Sequence, residues 1–225
     1  MTRINSIEKY LSGITTDKFH RYKSWDNCFR SFGSSKQTEI QALELAFYLA
    51  SWGMYRGSSG LLQKNHQIHK RTVDIFFSKE NQKLKCNKAN EVNKVNIKQI
   101  FELKNKLAKH YSSIYFTKGT DEPKPISATD TLLSKIMLGT LGCVLAYDRY
   151  FIGGLKQVKM EHTGFNEASL NELFDFIEKN KKEIDQAQKL IKNKTKRHYP
   201  LMKILDMYFW QIGYEKELMG KNVKK

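Results

Sequence analysis

Three observations predict an all-α fold, built as a single globular helical domain. The chain of 225 residues has only three prolines, at 123, 125 and 200, so long segments run without a helix breaker. β-Branched residues are scattered, and no stretch alternates in the way a half-buried strand does. Apolar residues recur instead at helical spacing, and at 40% hydrophobic the chain can build a core.

Thr38 can cap a helix whose positions Ile40, Leu43, Phe47 and Ala50 fall on one face. Leu45, Ala46 and Leu49 widen that face, which predicts burial on most sides. Arg56-Gly57-Ser58-Ser59-Gly60 breaks it, and a second helix is expected over 61–77 through Leu62, Ile68, Val73 and Phe76. The Lys/Asn-rich segment 78–96 reads as a solvated loop. Asn96 can cap a helix through Ile97, Ile100, Phe101, Leu103, Leu107 and Tyr111. Gly119, Pro123 and Pro125 mark 117–127 as a linker, which allows two helical lobes, 1–116 and 128–225. Thr129 or Ser127 then caps a helix over 130–138. Gly139-Thr140-Leu141-Gly142 interrupts it, helix resumes through Cys143–Phe151, and Gly153-Gly154 ends it. Asn166 caps 167–180, and Pro200 sits where the first position of a last helix would be.

Charge is one-sided. Lys and Arg total 39 against 23 Asp and Glu, a net +16, which argues against a partner with a basic surface and favours a polyanion, nucleic acid before an anionic membrane. Only seven of these are Arg, and Asn and Ile are abundant, a pattern that an AT-rich genome also produces. Three cysteines without a CxxC pair predict a reducing compartment and no Cys-based zinc site. The N-terminus has no apolar core of signal-peptide length, and no apolar stretch is long enough to span a bilayer, so a cytoplasmic protein is expected.

Several clusters carry chemistry. In Lys135–Phe151 two glycines, Gly139 and Gly142, make a hairpin between helical segments. A helix restarting after Gly142 would offer backbone N–H groups to a phosphate, with Asp148 within two turns. The plainer alternative is a packing element with Asp148 in a structural hydrogen bond. Trp52, Tyr55 and Arg56 lie at a helix end where aromatic faces can stack on a base and Arg can pair with phosphate, or where a helix merely stops. Lys203 and Asp206 are three apart on the last helix. They read as a desolvated amine nucleophile beside a carboxylate, or as a surface ion pair. Ser24-Trp25-Asp26-Asn27 can line a pocket or form a turn. His66 and His69 lack a third ligand and read as solvated helix-surface histidines, so no metal is expected. The run 179–197 carries eight positive charges against Glu183 and Asp185. Together with Lys156 and Lys159 it reads as a solvated face or as a track for a phosphate backbone.

The Lys135–Phe151 segment resembles the helix-hairpin-helix DNA glycosylases, all-α proteins whose Gly-rich hairpin grips the DNA backbone ahead of a catalytic Asp. Leu138 stands where that family usually has Pro, two residues separate Gly139 from Gly142 where the family has one, and Asp148 follows the hairpin by six residues. The resemblance implies a base-excising enzyme in which the target nucleotide leaves the stack and a carboxylate stabilises an oxocarbenium-like sugar. The expected catalytic residues are Asp148, then Asp206 and Lys203. Lys135, Gly139, Gly142, Arg56 and Arg149 would hold phosphates, and Trp52, Tyr55 and Trp25 would contact the base. No cofactor is required, and the expected partner is nucleic acid, DNA first. The alternative is a nucleic-acid-binding module without catalysis, in phage defence or regulation.

Overall fold

The structure is a computed structural model that describes residues 3–57 and 59–222. It is all-α apart from one small hairpin. Among the described residues there are eleven α-helices and a single two-stranded sheet. Ser58, within the expected break at 56–60, lies outside the described residues. No helix among the described residues is long and apolar enough to cross a membrane. The chain divides into two compact units, one of Met1–His20, Cys86–Ile97 and Val144–Lys225, the other of Arg21–Lys85 and Lys98–Cys143.

The first unit is organised on its last helix. Helix α11 (Leu201–Asn222) packs against α1 (Arg3–Thr16), α8 (Arg149–Gln157) and α10 (Lys181–Thr195). Its first half is buried almost all round, through Met202, Ile204, Leu205, Met207, Phe209 and Trp210. Gly153 and Gly154 do not end a helix, as the sequence led us to expect; they lie inside α8. A Cβ on Gly154 would sit 2.0 Å from the Phe209 carbonyl oxygen, and one on Gly213 would sit 1.9 Å from that of Tyr150. These glycines let α8 and α11 cross with their backbones in contact. Helix α9 (Glu167–Lys179) starts where expected, with the Asn166 side chain accepting from the Ser169 N–H at 2.9 Å.

In the second unit α3 (Thr38–Ser51) packs against α2 (Lys23–Ser31), α4 (Lys70–Phe76) and α7 (Asp130–Thr140). The predicted core face of α3 is turned outward. Ile40, Leu43 and Phe47 are each more than half exposed, while Gln41, Ala42, Leu45, Ala46, Tyr48 and Leu49 are buried. Gln41 fixes the choice, because its amide donates to the carbonyls of Ser31 and Ser35, each at 3.0 Å, and accepts from the Gln37 N–H at 2.9 Å. The 61–77 segment is two 3-10 turns followed by α4 rather than one helix. The 117–127 segment holds the turn and second strand of an antiparallel hairpin, β1 (Tyr115–Phe116) with β2 (Lys124–Pro125), and lies within this unit.

The 78–96 segment is not a purely solvated loop. It contains the single-turn helix α5 (Lys79–Gln82) and buries Asn81, Leu84, Lys85, Cys86 and Val92. At its end the Asn93 side chain accepts from the Val95 N–H, and the Asn93 N–H donates to Asn96, both at 2.9 Å, which opens α6 (Ile97–Ser112). The buried face of α6 carries Ile97, Ile100, Leu103, Leu107 and Tyr111, as its spacing predicts.

Candidate functional site

The residues singled out in the sequence fall in both units. Lys135, Gly139, Gly142, Arg56, Trp52, Tyr55 and Trp25 belong to the second; Asp148, Arg149, Lys203 and Asp206 belong to the first.

In the second unit α7 begins at Thr129, whose hydroxyl accepts from the Leu132 N–H at 3.2 Å. It is buried on every side from Leu132 to Thr140, Lys135 included. Gly139 is an interior residue of this helix, not a break, and a Cβ there would sit 2.4 Å from the Tyr48 ring. Gly142 has φ of +69° and ends the helix: its N–H and that of Leu141 both donate to the Met137 carbonyl at 3.0 Å. Helix does not resume there. Cys143–Tyr147 is buried irregular backbone, and the next helix starts at Arg149. The two glycines thus serve close packing and a helix stop, two local demands that give the same sequence signature as a phosphate-binding hairpin.

The Lys135 ammonium lies 5.1 Å from the centre of the Trp52 ring, and the Arg21 guanidinium lies 5.0 Å from it. Tyr22 stacks on the same indole at 5.1 Å. Arg21 also donates to the Ser51 carbonyl at 3.1 Å, which holds this cation–aromatic cluster at the end of α3. Trp25 does not sit in a turn. It lies in α2, buried, stacked on Phe29 at 4.9 Å and donating its indole N–H to the Leu138 carbonyl at 3.1 Å. Arg56 is exposed.

Tyr55 is half-buried and bonded to His69 Nε2 at 2.8 Å; Nδ1 of the same ring bonds the Tyr111 hydroxyl at 2.6 Å, and Tyr111 also bonds Thr72 at 2.9 Å. His69 is fully buried, against the expectation of a solvated surface residue. Burial, and then the nearby His110 and His66, hold it down at about 3, so its ring is neutral. Burial pushes the Tyr55 phenol up to about 12. His66 pairs with Glu39 instead of facing His69. Among the described residues no group of three or more His, Cys, Asp or Glu is placed to hold a metal ion.

In the first unit Asp148 is the N-cap of α8. Its Oδ1 accepts from the N–H groups of Tyr150 at 3.0 Å and Phe151 at 3.1 Å. Arg149 is exposed and committed locally, its Nε 3.1 Å from Glu217 and its guanidinium donating to the Tyr150 hydroxyl at 2.8 Å. Lys203 and Asp206 do meet, Nζ to Oδ2 at 3.0 Å, but the pair is buried and not on the surface. Lys203 donates as well to the Tyr10 hydroxyl at 3.1 Å, and Asp206 Oδ1 accepts from the Ala146 N–H at 3.0 Å. The pair therefore ties α11 to α1 and to the segment ahead of α8.

The basic run does reach solvent. Lys181, Lys182, Lys189 and Lys192 are exposed on α10, and Lys196 and Arg197 follow in the turn that ends it. Lys194 is exposed too, but pairs with Glu8 at 2.9 Å. Lys88, exposed on the tight turn 87–90, lies close enough to His198 that it and Lys192 reinforce the effect of burial in lowering that imidazole's pKa. Lys156 and Lys159 are exposed in and just after α8.

Two residues escaped sequence reasoning. Lys85 is buried, donates to the carbonyls of Thr140 at 2.6 Å and Phe29 at 3.0 Å, and places its ammonium 3.6 Å from the centre of the Phe29 ring. Glu91 meets the backbone N–H of Leu201 with both oxygens at 3.3 Å. The pairing of Leu84 with Cys86, and the lone Val92, were the available signals that this Lys/Asn-rich segment returns to the core. No family model, no curated protein and no solved structure matches this chain.

Proposed function

We propose that the protein is a nucleic-acid-binding module that binds through its basic surface without catalysing a reaction, with DNA as the first polymer to test. The observation that carries this reading is the exposed lysine-rich face of α10, continued by Lys196, Arg197 and the neighbouring Lys88. Lysines spaced along a helix at the surface can each neutralise a phosphate and release a counterion, which needs no base-specific contact. The carboxylates that a base-excising enzyme would use weigh toward binding alone. Asp148 accepts two backbone N–H bonds, and Asp206 is buried against Lys203. Burial withdraws Asp206 from a sugar, and Asp148 has one oxygen committed to the helix start.

The test is a fluorescence-anisotropy titration of labelled duplex DNA, with single-stranded DNA and an RNA hairpin as parallel arms. Replacing Lys189 and Lys192 together by Ala should weaken binding to every sequence alike, because phosphate contacts carry no base information. Asp148→Asn should leave both the affinity and the DNA intact. Full affinity in the double lysine variant would count against the α10 face. Alkali-labile sites made by the native chain and lost in Asp148→Asn would replace this reading with the enzymatic one.

A further inference from the structure

Within the first unit, the 91–95 segment, α9 and α10 line a half-open cavity of about 560 Å³, reached by Leu201 at the start of α11. That is the size of a small-molecule site. Val92, Phe174, Ile177 and Ile184 supply apolar wall, and Val95 stands 88% exposed at its side. The charged groups around it are Glu91, Glu178 and Asp185 against Lys94 and Lys181. The Lys94 ammonium is engaged by Asp175. Carboxylates thus outnumber available ammonium groups here, on a chain whose net charge is +16.

Glu91 is the unusual member. Its side chain is only 24% exposed, and its contacts with the Leu201 N–H (3.3 Å from each oxygen) and His198 Nε2 (3.4 Å) are long; the Cys86 thiol is a further donor. Burial pushes its carboxyl up to about 7, with hydrogen bonds from the Leu201 N–H and the Cys86 thiol acting in the opposite direction. A carboxylate has room for about four donors, and one withdrawn from water beside apolar walls gains more from a charged donor than one in bulk solvent.

We propose that this cavity binds a small organic cation, a primary amine with an aliphatic or aromatic body, whose ammonium meets Glu91 while the body lies against Phe174 and Ile177. An anion of the same size would face Glu91, Glu178 and Asp185. A neutral molecule would gain the walls without the charge. The site shares Lys181 with the lysine-rich face of α10, but the proposal does not depend on the nucleic-acid reading.

Benzylamine, benzoate and benzyl alcohol, matched in size, test it by titration into the full chain followed by backbone amide NMR. Benzylamine should saturate, with shifts concentrated at 91–95 and 174–185, and should bind at least tenfold more tightly than the other two. Glu91→Gln keeps an acceptor for the Leu201 N–H and should lower benzylamine affinity tenfold or more without lowering the melting temperature. Ile177→Trp, which fills the cavity, should abolish the shifts. Benzoate binding as tightly as benzylamine, the absence of any saturable shift, or full affinity in Glu91→Gln would each overturn the proposal.

Discussion

Asp148 and Asp206 look alike in the sequence, since each is an acid with a basic residue within three positions, but they do different work in the fold. Asp148 satisfies two N–H groups at a helix start. Asn serves nearly as well there, whereas Ala forfeits the bonds, so Asp148→Ala should cost about 1 kcal/mol in urea unfolding and Asp148→Asn a fraction of that. Removing Asp206 leaves the Lys203 charge buried, and Asp206→Ala should cost about 3–5 kcal/mol, while replacing both partners with apolar residues of similar volume should cost much less. Two desolvated titratable groups, His69 buried and Glu91 half-buried, predict opposite pH trends. His69 is held at about 3, below its ordinary value of 6.5, so the unfolded chain takes up its proton first. Its contribution is complete above about 6.5 and is lost as pH falls toward 3. Glu91 is raised from 4.5 to about 7, so the folded chain holds that proton longer. Its contribution is complete below about 4.5 and is lost as pH rises through 7. Urea midpoints followed across pH should show the acid limb flattened by His69→Gln and the slope between 4.5 and 7 flattened by Glu91→Gln.

At the scale of the element, α3 shows where periodicity stops being informative. Ile40, Leu43, Phe47 and Ala50 form a correct helical stripe, but Ala42, Leu45, Ala46 and Leu49 form another, and a helix apolar all round does not announce which stripe faces inward. The three hydrogen bonds of Gln41 settle it, and they reach chain up to ten residues away in sequence. Leu45→Ala should therefore cost about 2–5 kcal/mol and Leu43→Ala no more than about 0.5 kcal/mol, although both are leucines of one helix. The glycines of α7 and α8 were misread for a related reason. A glycine that stops a helix, as Gly142 does, and one that lets another chain approach, as Gly139 and Gly154 do, are the same letter. Only the neighbouring Tyr48 ring and Phe209 carbonyl tell them apart. Gly154→Ala places a methyl against that carbonyl and should destabilise by about 1–3 kcal/mol or more, read as a lowered melting temperature. Helix α9, with its Asn166 cap and one clean apolar face, was legible in advance, because both signals lie within a few residues of each other; α6 was legible by its face, whereas the capping side chain is Asn93 in the turn ahead of it and not the expected Asn96.

Across the whole molecule, the all-α class was legible because it rests on what is scarce, proline and alternating apolar patterns, and those counts do not depend on tertiary contacts. The candidate sites were less legible because burial decides what a polar residue does, and burial is long-range. Lys203, Asp206, His69, Lys135 and Trp25 are all drawn into the interior, whereas the lysines of α10 stay in solvent. Net charge survives that sorting, and the surface reading depends on it. The most direct test is the slope of log affinity for duplex DNA against log salt concentration, measured for the native chain and for the Lys189→Ala, Lys192→Ala double variant. A polyanion-binding surface predicts a steep negative slope that becomes shallower by about 1 for each phosphate-contacting lysine removed. A native slope near zero, or one that both lysine replacements leave unchanged, would contradict it.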